Sequence, residues 1–334
     1  MRFSQQEKIE IIRLVENSEL GIKRTLINLG INKSTFYYWY ARYLAHGYDG
    51  LAPRKPDHRH YWNRVPEQER EKVVELALNR PELSSRELAW DITDNEGWYI
   101  SESSVYRILK DRGLISSPTH YVIKAANEFK DKKGSIHELW QTDFTYFKVM
   151  GWGWYYLSTI MDDYSRYIIS WELCKNMKSD DVERCIDEAL LKTGLKKPER
   201  PKLLSDNGSC YISTELGSYL ERVGIRHVRG RVRHPQTQGK IERYHRSMKN
   251  VIKLDNYYSP EELERCLSEF IEYYNNERYH ESLDNLTPAD VFFGRDYQIR
   301  NQRKETKYKT MRQRRINYMN RKLKLLQENK KEIA

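Results

Sequence analysis

Asp143, Asp206 and Glu242 are the residues whose type and setting could do chemistry in this chain. Each sits in a compact local sequence: Trp140-Gln141-Thr142-Asp143-Phe144-Thr145, Ser205-Asp206-Asn207-Gly208, and His234-Pro235-Gln236-Thr237-Gln238-Gly239-Lys240-Ile241-Glu242-Arg243. Thirty-five residues separate Asp206 from Glu242. Carboxylates offer the hard oxygen ligands that Mg²⁺ prefers, and Mg²⁺ keeps several waters, so a few acids suffice. Three carboxylates brought together can hold two divalent ions. Such a pair can activate an attacking oxygen and stabilise a leaving one in an in-line phosphoryl displacement. Taken singly, each acid could equally be a cap or a surface charge. Asp162 and Asp163 compete for the same role, although the turn they open also accounts for them.

The elements that must position these acids can be read from periodicity. Leu139–Phe147 is predicted as a strand carrying Asp143, followed by strands Trp154–Met161 and Tyr167–Leu173. Ser179–Thr193 is an amphipathic helix, Lys202–Ser205 a short buried strand ending at Asp206, Thr214–Val223 a helix and Ile225–Val228 a strand. A helix over Lys240–Lys253 carries Glu242, and Ser259-Pro260-Glu261-Glu262 opens another with Ser at the N-cap and Pro at the first helical position. Three antiparallel strands followed by alternating helices and strands make a mixed α/β sheet. His234–Gly239 reads as a loop able to order on a ligand. On the Glu242 helix, Arg246 at i+4 and Lys249 at i+7 share a face with the acid. That spacing suits either a phosphate contact or an ion pair with Glu242.

Upstream, residues 1–48 form a first helical module. Ser4 and Glu7 make a capping box, Ile9, Ile12 and Val15 give one apolar face, and Ser34 is expected to cap a third helix after a turn at Gly30. Helix, helix, glycine turn and capped helix make a helix-turn-helix pattern. Phe36 and Trp39 are assigned to its core, and Lys33, Thr35, Tyr38 and Arg42 to a DNA-facing side. Residues 49–65 are a linker with a basic cluster at Arg54, Lys55, His58, Arg59 and His60. A second helix-turn-helix-like module spans 66–115, with capping signals at Ser84–Glu87 and Ser101–Ser104, and residues 116–136 connect it to the core at 137–295.

The net charge of +10 is unevenly placed. From Arg300 to Ala334 there are thirteen Lys/Arg and three Asp/Glu, so the whole excess lies in these residues, within a tail at 296–334. A basic tail on a neutral body suits phosphate binding or a solvated terminus. No apolar run approaches the roughly 20 residues a spanning helix needs, and the N-terminus does not read as a signal peptide. With Cys174, Cys185, Cys210 and Cys266 forming no C-x-x-C pair, the expectation is reduced thiols in a cytoplasmic protein with no membrane partner.

The order strand-Asp, strand, strand, helix, strand-Asp-Asn-Gly, helix, strand, helix-Glu resembles the ribonuclease-H-like core of retroviral integrases and DDE transposases. The motifs around Asp143, Asp206 and Glu242, with Tyr274–Leu283 and Thr287-Pro288-Ala289, resemble those of bacterial insertion-sequence transposases. The retroviral His/Cys zinc module is not recognisable here, which favours the insertion-sequence branch. The resemblance covers residues 137–295 and implies a multidomain protein: all-α helix-turn-helix modules, an α/β integrase core and a basic helical tail. It implies that Asp143 bridges two Mg²⁺ ions (Mn²⁺ able to substitute), that Asp206 and Glu242 bind one each, and that the two aspartates lie at neighbouring strand ends. The expected partners are double-stranded DNA of element ends and target, and further copies of the chain in a dimer or higher oligomer. Lys240, Arg243, Arg246, Lys249 and Asn207 are expected to touch that DNA. The implied activity is binding of terminal inverted repeats, hydrolysis at the 3′ ends and joining of the 3′-OH to target DNA. A DNA-binding regulator without catalysis, and a ribonuclease on RNA/DNA hybrids, are the alternatives.

Overall fold

A computed structural model describes residues 3, 5–18, 20–52, 61–115, 134–229 and 239–333. The chain divides into two compact units, Met1–Arg64 and Val65–Ala334. In the first, α1 (Gln5–Glu16), α2 (Ile22–Asn28) and α3 (Lys33–His46) enclose a core of Ile12, Leu26, Phe36, Trp39 and Leu51. Gly30 makes the turn with φ of 65°, a conformation that costs glycine little. The cap of α3 is two residues earlier than expected. Asn32 has extended backbone and accepts from the Ser34 N–H at 3.4 Å, so Ser34 lies inside the helix. The expected linker also begins too early, because Leu51 is buried in the core of this unit. The Arg42 guanidinium and the Lys8 ammonium hold that segment by donating to the carbonyls of Ala52 and Leu51. A Cβ on Gly50 would stand 2.2 Å from the Arg42 carbonyl oxygen, so only glycine fits there. Ser4, the basic cluster at 54–60, the connector at 116–133 and the loop at 230–238 lie outside the described residues.

The second unit opens with three helices, α4 (Glu67–Asn79), α5 (Ser85–Asn95) and α6 (Glu102–Asp111), packed around Val73, Leu88, Ile92, Val105 and Ile108. Both expected caps are present. Ser84 and Glu87 form a reciprocal capping box, and Ser101 accepts from the Ser104 N–H.

The sheet that follows has the order β3-β2-β1-β4-β5. Its strands are β1 (Leu139–Val149), β2 (Gly153–Asp162), β3 (Ile168–Cys174), β4 (Lys202–Ser205) and β5 (Arg226–Arg229). β1, β2 and β3 form an antiparallel meander, whereas β4 and β5 run parallel to β1. Helices cover both faces. α7 (Ser179–Thr193) and α9 (Thr214–Val223) pack against Trp140, Ile160 and Leu203. α10 (Gly239–Ile252) and α11 (Pro260–Asn276) pack against Phe147, Val149, Leu157 and Met161. Period-2 side-chain alternation assigns the two sets of β1 residues to opposite faces. A short helix absent from the sequence reading, α8 (Ser209–Ile212), follows β4; four residues are too few for a 3.6-residue period to show.

Beyond α12 (Pro288–Phe292), the basic tail is one helix, α13 (Asp296–Ile333). Its charge is not all free for phosphate. Arg303 is 7% exposed, pairs with Asp94 at 2.6 Å and lies over the Trp90 ring at 4.4 Å. Arg314 is 6% exposed, pairs with Glu69 and donates to the Tyr99 carbonyl. The first half of α13 therefore clasps the α4–α6 bundle, and 66–115 and 296–314 are packed together within one unit. Removing one member of a buried pair leaves the other charge unsatisfied, which costs about 3–5 kcal/mol. Arg303→Ala is expected to destabilise the second unit by about 3 kcal/mol, read as a lower urea midpoint in chemical denaturation.

Candidate active site

Asp143 is set by β1. It lies mid-strand rather than at the strand end expected from the sequence, because β1 continues as a long hairpin with β2. Its parallel neighbour β4 is only four residues long. The paired register ends at Gln141↔Leu204, and continuing it two residues along each chain would set Asp206 opposite Asp143. Asp143 therefore sits where the sheet loses β4, facing a gap that the next loop enters.

Asp206 is exposed, and its Oδ1 accepts from the Gly208 N–H at 2.8 Å. A Cβ at Gly208 would meet that oxygen at 3.0 Å, so the glycine permits the tight turn. Asn207, also exposed, stands between them. The following α8 places Cys210 and Tyr211 behind both acids. Burial first, then the negative charge of Asp206 and Asp143, pushes the Cys210 thiol up to about 11. That thiol is protonated at neutral pH and is no nucleophile. Tyr211 is buried, with its hydroxyl 3.3 Å from that of Thr142.

The third acid depends on how α10 is anchored. Gln141 is 1% exposed and bridges two elements: its Nε2 donates to Asp163 at 2.6 Å, and its Oε1 accepts from the Ile241 N–H at 3.2 Å. Lys240 donates to the Asp163 carboxylate at 2.6 Å and to its carbonyl at 3.1 Å. These bonds answer two questions raised by the sequence. Asp163 is buried and bound to Gln141 and Lys240, while Asp162 accepts from Ser165 and from the His137 N–H, so neither is placed to ligate a metal. Lys240 is committed to this largely buried pair. Its ammonium is lowered mainly by burial, with the nearby Arg166 adding to the effect.

Farther along α10, His245 is 6% exposed and turns Nδ1 to 3.3 Å from the second oxygen of Asp143, whose first oxygen accepts from the Phe144 N–H. Glu242 itself is exposed. Among the described residues, no three His, Cys, Asp or Glu side chains are gathered closely enough to hold a metal ion. The charges of both aspartates reach Cys210 and Tyr211, and Glu242 lies on the first turn of α10.

Of the expected cationic contacts, Arg243 and Arg246 are exposed. Lys249 is half-buried and lies 4.7 Å over the Tyr146 ring. Burial and the nearby Lys253 lower its ammonium, while the charge of Asp143 opposes the shift. In the first unit, Lys33 and Tyr38 are exposed and Thr35 is half-buried. Arg42 is half-buried, stacks on Tyr38 at 5.6 Å and braces Ala52. Sequence reasoning missed Gln141, which sits inside the Asp143 motif but gives no signal of its buried bridge. Behind the start of α10, burial and then Arg278, Arg166, Arg86 and Arg243 hold the His280 imidazole down at about 3.

Two models of an integrase core domain match residues 136–235 and 223–288, which between them contain all three acids. Homeodomain-like domain models match residues 3–52 and 35–109. The chain thus carries a segment similar to an integrase core domain, with helix-turn-helix segments ahead of it, and has insertion-sequence transposases as homologues. It is 28% identical over 210 residues to a putative transposase, InsK, for insertion sequence element IS150 of Escherichia coli strain K12, covering 58% of this chain and 72% of that one. It is 29% identical over 163 residues to the transposase for IS904 of Lactococcus lactis, covering 48% of this chain and 62% of that one. A solved HTLV-2 integrase catalytic core domain in complex with magnesium aligns with 47% of this chain and 96% of its own, at 21% identity and a TM-score of 0.38.

Lys240→Met removes the partner of buried Asp163 and is expected to cost about 3 kcal/mol, whereas Arg243→Met, at an exposed position, should stay within about 0.5 kcal/mol of the parent. Urea denaturation of both variants reads the contrast. The histidine makes a separate, pH-dependent expectation. Unfolding returns His280 to about 6.5 from about 3 in the folded chain, so between those values the unfolded chain binds the extra proton. Stability should therefore fall as pH drops through that window. His280→Phe should flatten the acid limb of a pH series of melting temperatures.

Proposed function

We propose that the chain is an insertion-sequence transposase that binds the terminal inverted repeats of its element, cleaves the 3′ ends and joins the 3′-OH to target DNA. The observation that supports this reading is the β1–β4 register, which, continued two residues, sets Asp206 opposite Asp143, with the Glu242-bearing α10 packed on β1. The donor set is entirely carboxylate oxygen, which fits Mg²⁺ and admits Mn²⁺. Asp143, Asp206 and Glu242 would hold the ions, two in each site. Bound there, the metal supplies charge neutralisation and activation of the attacking oxygen.

The chain's own groups do the positioning. His245 Nδ1 and the Phe144 N–H each face one oxygen of Asp143, and the Gly208 N–H holds one of Asp206, which orients both carboxylates. Arg243, Arg246, Lys249 and Asn207 are the proposed contacts to the DNA backbone at the site. Lys33, Thr35 and Tyr38 on α3 are the proposed groove-facing residues, with Arg42 acting through Tyr38. Bringing two DNA ends together calls for at least two copies of the chain. No described helix is long and apolar enough to cross a membrane.

One observation favours a second reading, a regulator that binds DNA without cutting it: among the described residues the three acids do not form one ligand group. A strand-transfer assay on element ends with Mg²⁺ or Mn²⁺ separates the two. The parent is expected to join ends. Asp143→Asn, Asp206→Asn and Glu242→Gln should each lose on the order of a thousandfold in joining rate while still shifting duplex DNA. Joining that survives Asp206→Asn would sink the assigned mechanism, and a parent that binds but never joins would establish the regulator.

A further inference from the structure

The hairpin of β1 and β2 runs past the helices that cover the rest of the sheet and leaves an aromatic surface open. Tyr146, within β1, is 49% exposed, and Trp154, the second residue of β2, is 53% exposed. Their ring centroids lie 5.4 Å apart at 77°. Strand register explains the meeting: Tyr146 pairs with Tyr156 and Lys148 with Trp154, so Tyr146 and Trp154 are diagonal neighbours on one face. Lys148 shares that face by the two-residue alternation and is exposed.

Two more cations reach the patch from α10, whose apolar side packs the opposite face of β1. Lys249 lies 4.7 Å over the Tyr146 ring and Lys253 6.0 Å from its centre. Past Gln141, β1 has no strand on its β4 side among the described residues except the isolated bridge of Val149 to Tyr257. The hydrophobic core uses neither ring. A patch for a protein partner would be expected to shed lysines from its centre. Exposed rings interleaved with lysines instead match the way single strands are bound, with bases stacking on aromatics and phosphates tracking cations. Tyr146 is three residues from Asp143, about 10 Å along the strand and on the opposite face; the open edge of β1, around which Lys249 and Lys253 reach the ring, joins the two.

We propose that Tyr146 and Trp154 form a stacking platform for an unpaired nucleobase of the DNA end, with Lys148, Lys249 and Lys253 facing the flanking phosphates. This rests on the transposase reading for its ligand and adds to it a preference for frayed or overhanging ends over fully paired ones. Stacking is tolerant of sequence, so the platform can be tested without the element's own repeat.

The probe is a duplex of arbitrary sequence carrying 2-aminopurine in a short single-stranded overhang, compared with the same duplex fully paired. The full-length chain should bind the overhang form about tenfold more tightly and change the fluorescence of the unpaired 2-aminopurine. Tyr146→Ala with Trp154→Ala should abolish the preference and that change, while keeping the affinity for paired duplex and the parent melting temperature. Tyr146→Phe with Trp154→Phe should restore the preference, since the π-faces return without the hydroxyl or indole N–H. A parent with no preference, or a double alanine variant that keeps it, overturns the proposal. So does a double alanine variant that dissociates an oligomer in sedimentation while keeping the preference, because the rings would then serve a second copy of the chain. Strand transfer by the parent is scored separately, so loss of the platform and loss of the transposase reading give different results.

Discussion

A single buried amide, that of Gln141, ties the chemistry of this protein to its fold. It sits on the strand of Asp143, donates to Asp163 at the end of the β1–β2–β3 meander and accepts from the first turn of the helix that carries Glu242. A buried polar group without partners is costly, and a fully satisfied one fixes geometry. Here every member is used. Asp163 takes Gln141 on one side and Lys240 on the other, and Lys240 comes from the same helix turn as Ile241. α10 thus cannot slide along β1 without breaking several desolvated bonds at once. The positions of His245 beside Asp143 and of Lys249 over Tyr146 follow from that one anchor.

The sheet supplies the second constraint. A meander gives β1 a long antiparallel partner on one side, while β4 gives it a short parallel one on the other. The mismatch in length opens an edge at Asp143, where the sheet can present a carboxylate to a ligand instead of burying it. The same mismatch exposes the aromatic face farther along the hairpin. Site and platform are consequences of one strand outrunning its neighbour.

Charge was the property most changed by folding. Read along the chain, the basic excess is all in the last 35 residues and suggests a free arm. In the structure Arg303 and Arg314 are among the buried polar residues, held by Asp94 and Glu69 from the α4–α6 bundle. Lys240 changed in the same way, from an expected phosphate contact to one side of a buried pair. Linear sequence records the sign of a charge but not its partner, because these partners lie from 77 to 245 residues away.

What the sequence determined by itself was local or repeated. Strand alternation, helix periodicity and caps placed α7, β4 and α9 to the residue, because short-range sterics and capping bonds set those limits. The motifs around Asp143, Asp206 and Glu242 pointed to an integrase-type core, to which the family models also match. What only the tertiary structure decided was which side chains meet. The placement of Asp143 mid-strand beside a truncated β4, the commitment of Gln141, Asp163 and Lys240 to one another, and the pairing of Tyr146 with Trp154 all depend on strand register and helix docking. Those are long-range packing outcomes, and a one-residue slip in register would send every side chain of the strand to the other face.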